Sequence, residues 1–243
     1  MLETVATQVE MAATLSRMLQ RESDRVHALH ILTWTAHFNF YRMIYNQLSF
    51  EDKQRLYQMY LEVFPQEDEV FDTEFVLQCL QQIPQKNLRI AELGGYQGEL
   101  AQHIIKELHI PWVSFEIIPH KIPKNIENLF TEYILSKELW QTNLDLSKIT
   151  AFISMHTLEH FSDQEFIELV KYLVHWKVPY LIFQMPIQPE GQTWRNYYGA
   201  HVLKMGSTQV KKLLAPHYRL KAEVPKGKHV HEGWCCFYEY KTR

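Results

Sequence analysis

The 243-residue chain holds only three cysteines, Cys79 and the adjacent Cys235 and Cys236. They lack the paired spacing of a zinc site, and an odd count does not build a disulfide framework, so a reducing, cytoplasmic setting is expected. A surplus of charge is lacking too: 25 lysines and arginines against 28 acids leave a net charge of −3. With no basic tract to follow a phosphate backbone, nucleic acid is not the expected partner. No run reaches the roughly 18 uninterrupted apolar residues of a membrane span, so no membrane partner is expected. The opening MLETVATQVEMAA carries Glu3 and Glu10 where a signal peptide needs a basic start and an apolar core. Repeats and low-complexity linkers are absent. Glycine is scarce, eight in all, yet three crowd into IAELGGYQGELAQ at 94, 95 and 98.

What is present is apolar. Hydrophobic residues make up 46% of the chain, enough for one substantial core or a core with a helical appendage. The pattern changes near residue 86. Before it only helices are expected. Val5, Val9, Ala12, Leu15, Met18 and Leu19 form one stripe at spacings of three and four, and 24–47 repeats the pattern. Ser49 followed by Asp52 is a helix-starting pair, Pro65 ends that helix, and Asp72 caps a fourth. From 88 onward strand-like runs at 88–93, 112–116, 132–135, 150–155 and 180–184 alternate with helices, most clearly 99–108 and 163–176. Ser162 with Glu165 is a capping box for the second of these, and Ser207 is the expected cap of a later helix. Alternation of this kind predicts a mostly parallel sheet covered on both faces. The last two runs, 218–224 and 233–240, are joined by PKGKHVHE, too short for a helix, so they should pair as an antiparallel hairpin. Residues 1–85 are thus expected to form an N-terminal helical region and 86–243 an α/β domain.

The stretch 90–102 reads as strand, glycine turn and helix start. Such a turn alone is weak evidence, because Gly98 need only let a helix pack close to a sheet. Two acids sharpen it. Glu92 sits two residues before the first glycine, where a carboxylate would repel a pyrophosphate and suits a ligand carrying positive charge. No Gly-Lys-Ser/Thr follows, so the Walker pattern fails. Glu116, 24 residues on at the end of the next strand, can accept hydrogen bonds from ribose hydroxyls, with Ile117 beside it. A ribose, a cationic group and no phosphate describe S-adenosylmethionine.

With these residues the chain resembles the class I S-adenosylmethionine-dependent methyltransferases, whose first motif is acid-x-Gly-x-Gly-x-Gly. Glu92, Gly94 and Gly98 match, Tyr96 stands where the middle glycine should be, and Gly95 is the neighbour that would compensate. The resemblance covers 88–240 and implies a Rossmann-like, mostly parallel seven-stranded sheet of order 3-2-1-4-5-7-6 with an antiparallel C-terminal hairpin. It implies that Glu116 holds the ribose, that Gly94, Gly95 and Gly98 admit the methionine part, and that Glu92 aids its ammonium group. Tyr96 would line or narrow the pocket. Ser136, near the end of the third strand, would touch adenine, and His156, at the end of the fourth, would lie nearest the transferred methyl group.

The segment AFISMHTLEHFSD carries the family's Leu-Glu-His after strand four as Leu158-Glu159-His160. On one helical turn His156, Glu159 and His160 would share a face. Together with His201 this also resembles certain small-RNA 2′-O-methyltransferases, whose metal ligands come from Glu-x-x-Glu-His and a later histidine. Glu159, His160 and His201 are therefore candidate ligands for a divalent metal. The metal-free alternative is favoured, with His156, His160 or His201 as general base or substrate contact. After strand five, QMPIQPEGQTWRNYYGAH places Arg195, Tyr197 and Tyr198 in a loop at the ligand end of the sheet, as substrate contacts or as a loop packed on its own aromatics. Tyr41, in the aromatic HFNFYRMIYNQL, is a further substrate candidate if the N-terminal helices close over the site; the same helices would serve as a homodimer contact. The expected function is methyl transfer to a small-molecule acceptor, at oxygen. An RNA 2′-O-methyltransferase and a non-catalytic methyltransferase-like partner protein are the alternatives.

Overall fold

The computed structural model describes residues 45–63, 72–119, 124, 126, 128–135, 146–186, 201–224 and 233–242. The chain divides into two compact units, Met1–Glu69 with Thr193–Val202, and Val70–Gln192 with Leu203–Arg243. This differs from a boundary at residue 86. The helix after Asp72 belongs with the sheet because its apolar face, Phe75, Val76, Cys79 and Leu80, shares a core with Ile90, Leu100, Ile104, Trp112 and Ile153.

In the first unit a 3-10 turn, Tyr45–Gln47, stands where the end of a long helix is expected. Helix α1, Phe50–Val63, follows. Ser49 and Asp52 bond reciprocally at its start: the Asp52 N–H donates to Ser49 Oγ at 3.1 Å and the Ser49 N–H to Asp52 Oδ2 at 3.4 Å, satisfying two amides that the helix leaves over. The Lys53 ammonium lies 4.0 Å from the centre of the buried Tyr45 ring.

The second unit opens with α2, Thr73–Gln81, whose Phe75 N–H is capped by Asp72 Oδ1 at 2.9 Å. Then come β1 (Ile90–Leu93), α3 (Glu99–Leu108), β2 (Trp112–Glu116), β3 (Phe130–Ile134), β4 (Ala151–Met155), α4 (Asp163–His175), β5 (Tyr180–Met185), α5 (Ser207–Leu214), β6 (Tyr218–Val224) and β7 (Trp234–Tyr240). They build one seven-stranded sheet in the order β3-β2-β1-β4-β5-β7-β6, the order that the resemblance implies. The first five strands pair in parallel, and β7 runs antiparallel to both β5 and β6. Central strands β1, β2 and β4 are buried along their whole length, as a sheet covered on both faces requires. The Ser162–Glu165 capping box forms as the sequence indicates. Ser207 does not cap α5. Gly206 occupies that position in extended backbone, and Gln209 Oε1 takes the Gly206 N–H at 2.8 Å. β1 starts later than residue 88 because the Leu88 N–H is spent on the turn carbonyl of Gln85 at 3.2 Å.

The chain runs outward from β1 to β3 and returns to β4 on the other side of β1. At that reversal the carboxyl ends of β1 and β4 lie side by side, where open α/β sheets place their ligands. No described helix is long and apolar enough to cross a membrane.

Candidate functional site

The glycine turn sits at the carboxyl end of β1. Gly94 and Gly98 both have φ +74°, and Tyr96 has φ +49°. Left-handed backbone costs a side-chain-bearing residue about 1–2 kcal/mol, so the turn keeps the geometry of a glycine at 96 and carries tyrosine there. The Tyr96 N–H donates to Glu116 Oε1 at 2.8 Å, which anchors the strained residue to the end of β2. The Gly94 N–H donates to the Phe115 carbonyl at 2.9 Å and the Gly98 N–H to Gly95 at 2.8 Å. The Gly95 and Gln97 amides have no acceptor among the described residues.

Two of the glycines are required by the protein's own packing. A Cβ on Gly94 would lie 2.1 Å from Thr157 Oγ1, and one on Gly95 would lie 2.4 Å from Glu92 Oε2. Thr157, just past β4, donates its hydroxyl to the Met155 carbonyl at 3.1 Å and the Gly94 carbonyl at 3.3 Å. The turn is therefore clamped from below by Glu92 and from the side by Thr157.

Glu92 differs in placement from a carboxylate held out to a cofactor ammonium. It is buried, and its Oε2 accepts the Trp112 indole N–H at 2.8 Å. Burial pushes its pKa from 4.5 up to about 8, opposed by the Trp112 hydrogen bond and reinforced by the Glu116 charge. At neutral pH it is mostly the uncharged acid. The strand register explains this cluster. Glu92 pairs with Ser114, and residues two apart on a strand share a face, so Trp112, Ser114 and Glu116 project to the side that Glu92 does. Ser114 donates its hydroxyl to Glu116 Oε1 at 3.2 Å. The result is a buried polar layer under the turn.

At the end of β4, His156 has φ +50° and its N–H donates to the Gln184 carbonyl of β5 at 2.8 Å. The expected helical turn over 156–160 is shorter. A 3-10 turn covers Leu158–His160, and the left-handed bend at His156 brings its Nδ1 to 3.7 Å from Glu159 Oε1. That is beyond hydrogen-bond length and within ion-pair reach when the imidazole is protonated. Glu159 is buried and His160 half-buried. The Leu203 N–H donates to the Glu159 carbonyl at 3.0 Å, so the chain rejoins the sheet unit against this turn two residues after His201. His201 itself is grouped with the other unit.

Ile117 is half-buried just beyond Glu116. Ser136, Arg195, Tyr197, Tyr198 and Tyr41 lie outside the described residues, as do residues 1–44, over which the first two helices are expected. Trp112, Ser114, Thr157 and Gln184 also support the candidate site, although none belongs to its motifs. A signal for Trp112 existed: a tryptophan at the head of a buried strand needs an acceptor for its indole N–H, and Glu92 is the acid on the neighbouring strand. Gln184 gives no such signal, because its bond to the Asp72 N–H at 3.0 Å joins residues 112 apart.

This topology has counterparts among solved structures. A LepI variant bound to S-adenosylhomocysteine and a substrate analogue superposes with a TM-score of 0.56 at 12% identity, covering 78% of this chain and 53% of that one. The chain thus spans about half the length of that protein. Magnesium protoporphyrin IX methyltransferase from Synechocystis PCC 6803, with bound S-adenosylmethionine, gives a TM-score of 0.56 at 10% identity over 77% of this chain and 97% of that one. The fold is that of the class I S-adenosylmethionine-dependent methyltransferases. A bacterial Hen1 methyltransferase domain shares it, with a TM-score of 0.51 at 12% identity over 70% of this chain and 97% of that one. No family model matches the sequence, and no curated protein matches it.

Proposed function

We propose that this protein is an S-adenosylmethionine-dependent methyltransferase that acts on a small-molecule acceptor, at oxygen. The observation that carries the proposal is the union of the left-handed turn at 94–98 with the Glu116 carboxylate at the β1–β4 reversal. The residues fit the cofactor. The open Gly95 and Gln97 amides suit its carboxylate end, and Glu116 suits its ribose hydroxyls. When bound, S-adenosylmethionine supplies an electrophilic methyl group on a sulfonium. The chain's own part is positioning and proton removal. His156, held at the end of β4 by the Gln184 carbonyl and faced by the Glu159 carboxylate, takes the acceptor's hydroxyl proton at an imidazole nitrogen. Glu159 steadies the imidazolium that results. His160, four residues further along the chain, and His201 act as acceptor contacts.

Calorimetric titration with S-adenosylmethionine tests the core of this reading. Binding at micromolar concentrations, weakened by Glu116→Ala, is the expected result. A folded protein that binds nothing at millimolar cofactor overturns the enzyme reading in favour of a methyltransferase-like partner protein.

A second reading rests on Glu159 and His160 sharing one 3-10 turn, with the chain after His201 fastened to that turn through Leu203. Carboxylate and imidazole suit a divalent metal, which would lower the pKa of an acceptor hydroxyl instead of relying on a histidine base. An RNA 2′-hydroxyl is then the acceptor class. The net charge of −3 weighs against it, since RNA affinity is largely phosphate neutralisation.

A further inference from the structure

A second cleft lies at the opposite end of the sheet from the glycine turn. It holds about 810 Å³ and is lined by the residues that lead into β1 and β4 and follow α3, among them Gln85, Asn87, Arg89, His109, Lys148 and Thr150. That volume is within the roughly 300–1,000 Å³ of small-molecule sites. Two permanent cations line it, and among the described residues no acid does. A chain with a net charge of −3 has thus gathered uncompensated positive charge in one concave place.

Arg89 is the decisive residue. Its Nε is buried and has no hydrogen-bond partner. A buried donor left unpaired costs about 1–3 kcal/mol, and more when it is charged. The polar neighbours do not relieve it. Gln85 gives its amide to the Leu80 and Ile83 carbonyls, each at 2.9 Å, and Thr150 gives its hydroxyl to the Asn87 carbonyl at 3.1 Å. One plain role for Arg89 is to balance the carboxyl-terminal dipole of α3, which ends at this cleft. That attraction acts through space and still leaves the Arg89 Nε–H without an acceptor. The terminal guanidinium nitrogens are the accessible part of Arg89 and carry no hydrogen bond among the described residues; their natural complement is an oxyanion, which a guanidinium meets with two parallel N–H bonds.

We propose that this cleft binds the phosphate group of a small phosphorylated molecule, with Arg89 as the fork, Lys148 as the second charge and His109 as a neighbouring imidazole. A phosphomonoester carries about −1.5 to −2 at neutral pH, which matches two unpaired cations better than a carboxylate's single charge. The site lies away from the glycine turn, so its occupancy is independent of the methyltransferase reading.

Inorganic phosphate is the probe, with acetate at equal ionic strength as its control, in thermal shift and ³¹P line-broadening measurements on the full chain. Phosphate is expected to stabilise the protein and acetate to do so much less. Arg89→Met should weaken phosphate binding about ten-fold or more while leaving S-adenosylmethionine titration unchanged. Lys148→Met, at an exposed position with little folding risk, should weaken phosphate too and serves if Arg89→Met does not fold. Phosphate binding indifferent to both substitutions, or acetate equal to phosphate, overturns the proposal.

Discussion

Replacing Glu92 with glutamine should make the protein more stable above neutral pH. Glu92 is buried and holds its proton up to about pH 8, whereas its ordinary value is 4.5. Between those values the native state keeps a proton that the unfolded chain has released, so stability falls as pH rises through the window. At one pKa unit per 1.36 kcal/mol, the full shift amounts to about 5 kcal/mol lost by pH 9, and about 3 kcal/mol is already lost at pH 7. Glutamine has the shape of the protonated acid: one oxygen to accept the Trp112 indole N–H and one donor where the carboxyl proton was. The wild type and Glu92→Gln should therefore melt together near pH 5 and separate as pH rises. At roughly 2–4 °C per kcal/mol for a chain of this length, the gap at pH 9 should be about 10 °C or more. Circular dichroism melts from pH 5 to 9 read it directly. Parallel curves would refute the argument, because they would mean that Glu92 is ionised in the native state. The same variant separates two roles for this acid in cofactor binding. If Glu92 supports the turn as a neutral group, Glu92→Gln keeps its affinity for S-adenosylmethionine. If it meets the ammonium as an anion, affinity falls about ten-fold or more, and cofactor binding at pH 7 releases a proton, detectable by calorimetry in two buffers.

Gly94→Ala should cost about 2–5 kcal/mol in denaturant unfolding, from left-handed strain plus overpacking against Thr157. Tyr96→Gly should leave stability within about 1 kcal/mol, since relief of strain offsets the greater freedom of an unfolded glycine; any loss of cofactor affinity then reports a contact made by the tyrosine side chain. His156→Gln should leave cofactor binding intact and lower turnover of an accepted substrate by about 10²–10⁴-fold, the worth of a positioned base; equal turnover would remove His156 from that role. Exhaustive chelation should leave activity unchanged if His156 is the base, whereas loss of activity restored by a divalent metal, and abolished in His160→Ala, would favour the metal reading.

The central strands were legible because each is announced locally: short apolar runs between turn residues became β1, β2, β4 and β5, and the short link before 233–240 permits only a hairpin. β3 was less so, because Thr131 and Glu132 interrupt it, and it begins at Phe130 instead of 132. The acid-glycine turn was legible for a similar reason: its left-handed positions fall at Gly94 and Gly98, which sequence can flag. Tyr96 and His156 are also left-handed, and nothing in a tyrosine or a histidine announces that. Their conformations are imposed by bonds from distant strands, the Glu116 carboxylate for one and the Gln184 carbonyl for the other. Such strain persists only where surrounding structure over-determines it, so it is a tertiary property by nature. The role of Glu92 was obscured in the same way. Read along the chain, it is a charge ahead of a glycine turn. Read across the sheet, its register with Ser114 puts it beside Trp112, where burial outweighs charge. The motif marks the turn, but the neighbouring strand decides whether its acid is a charge or a strut.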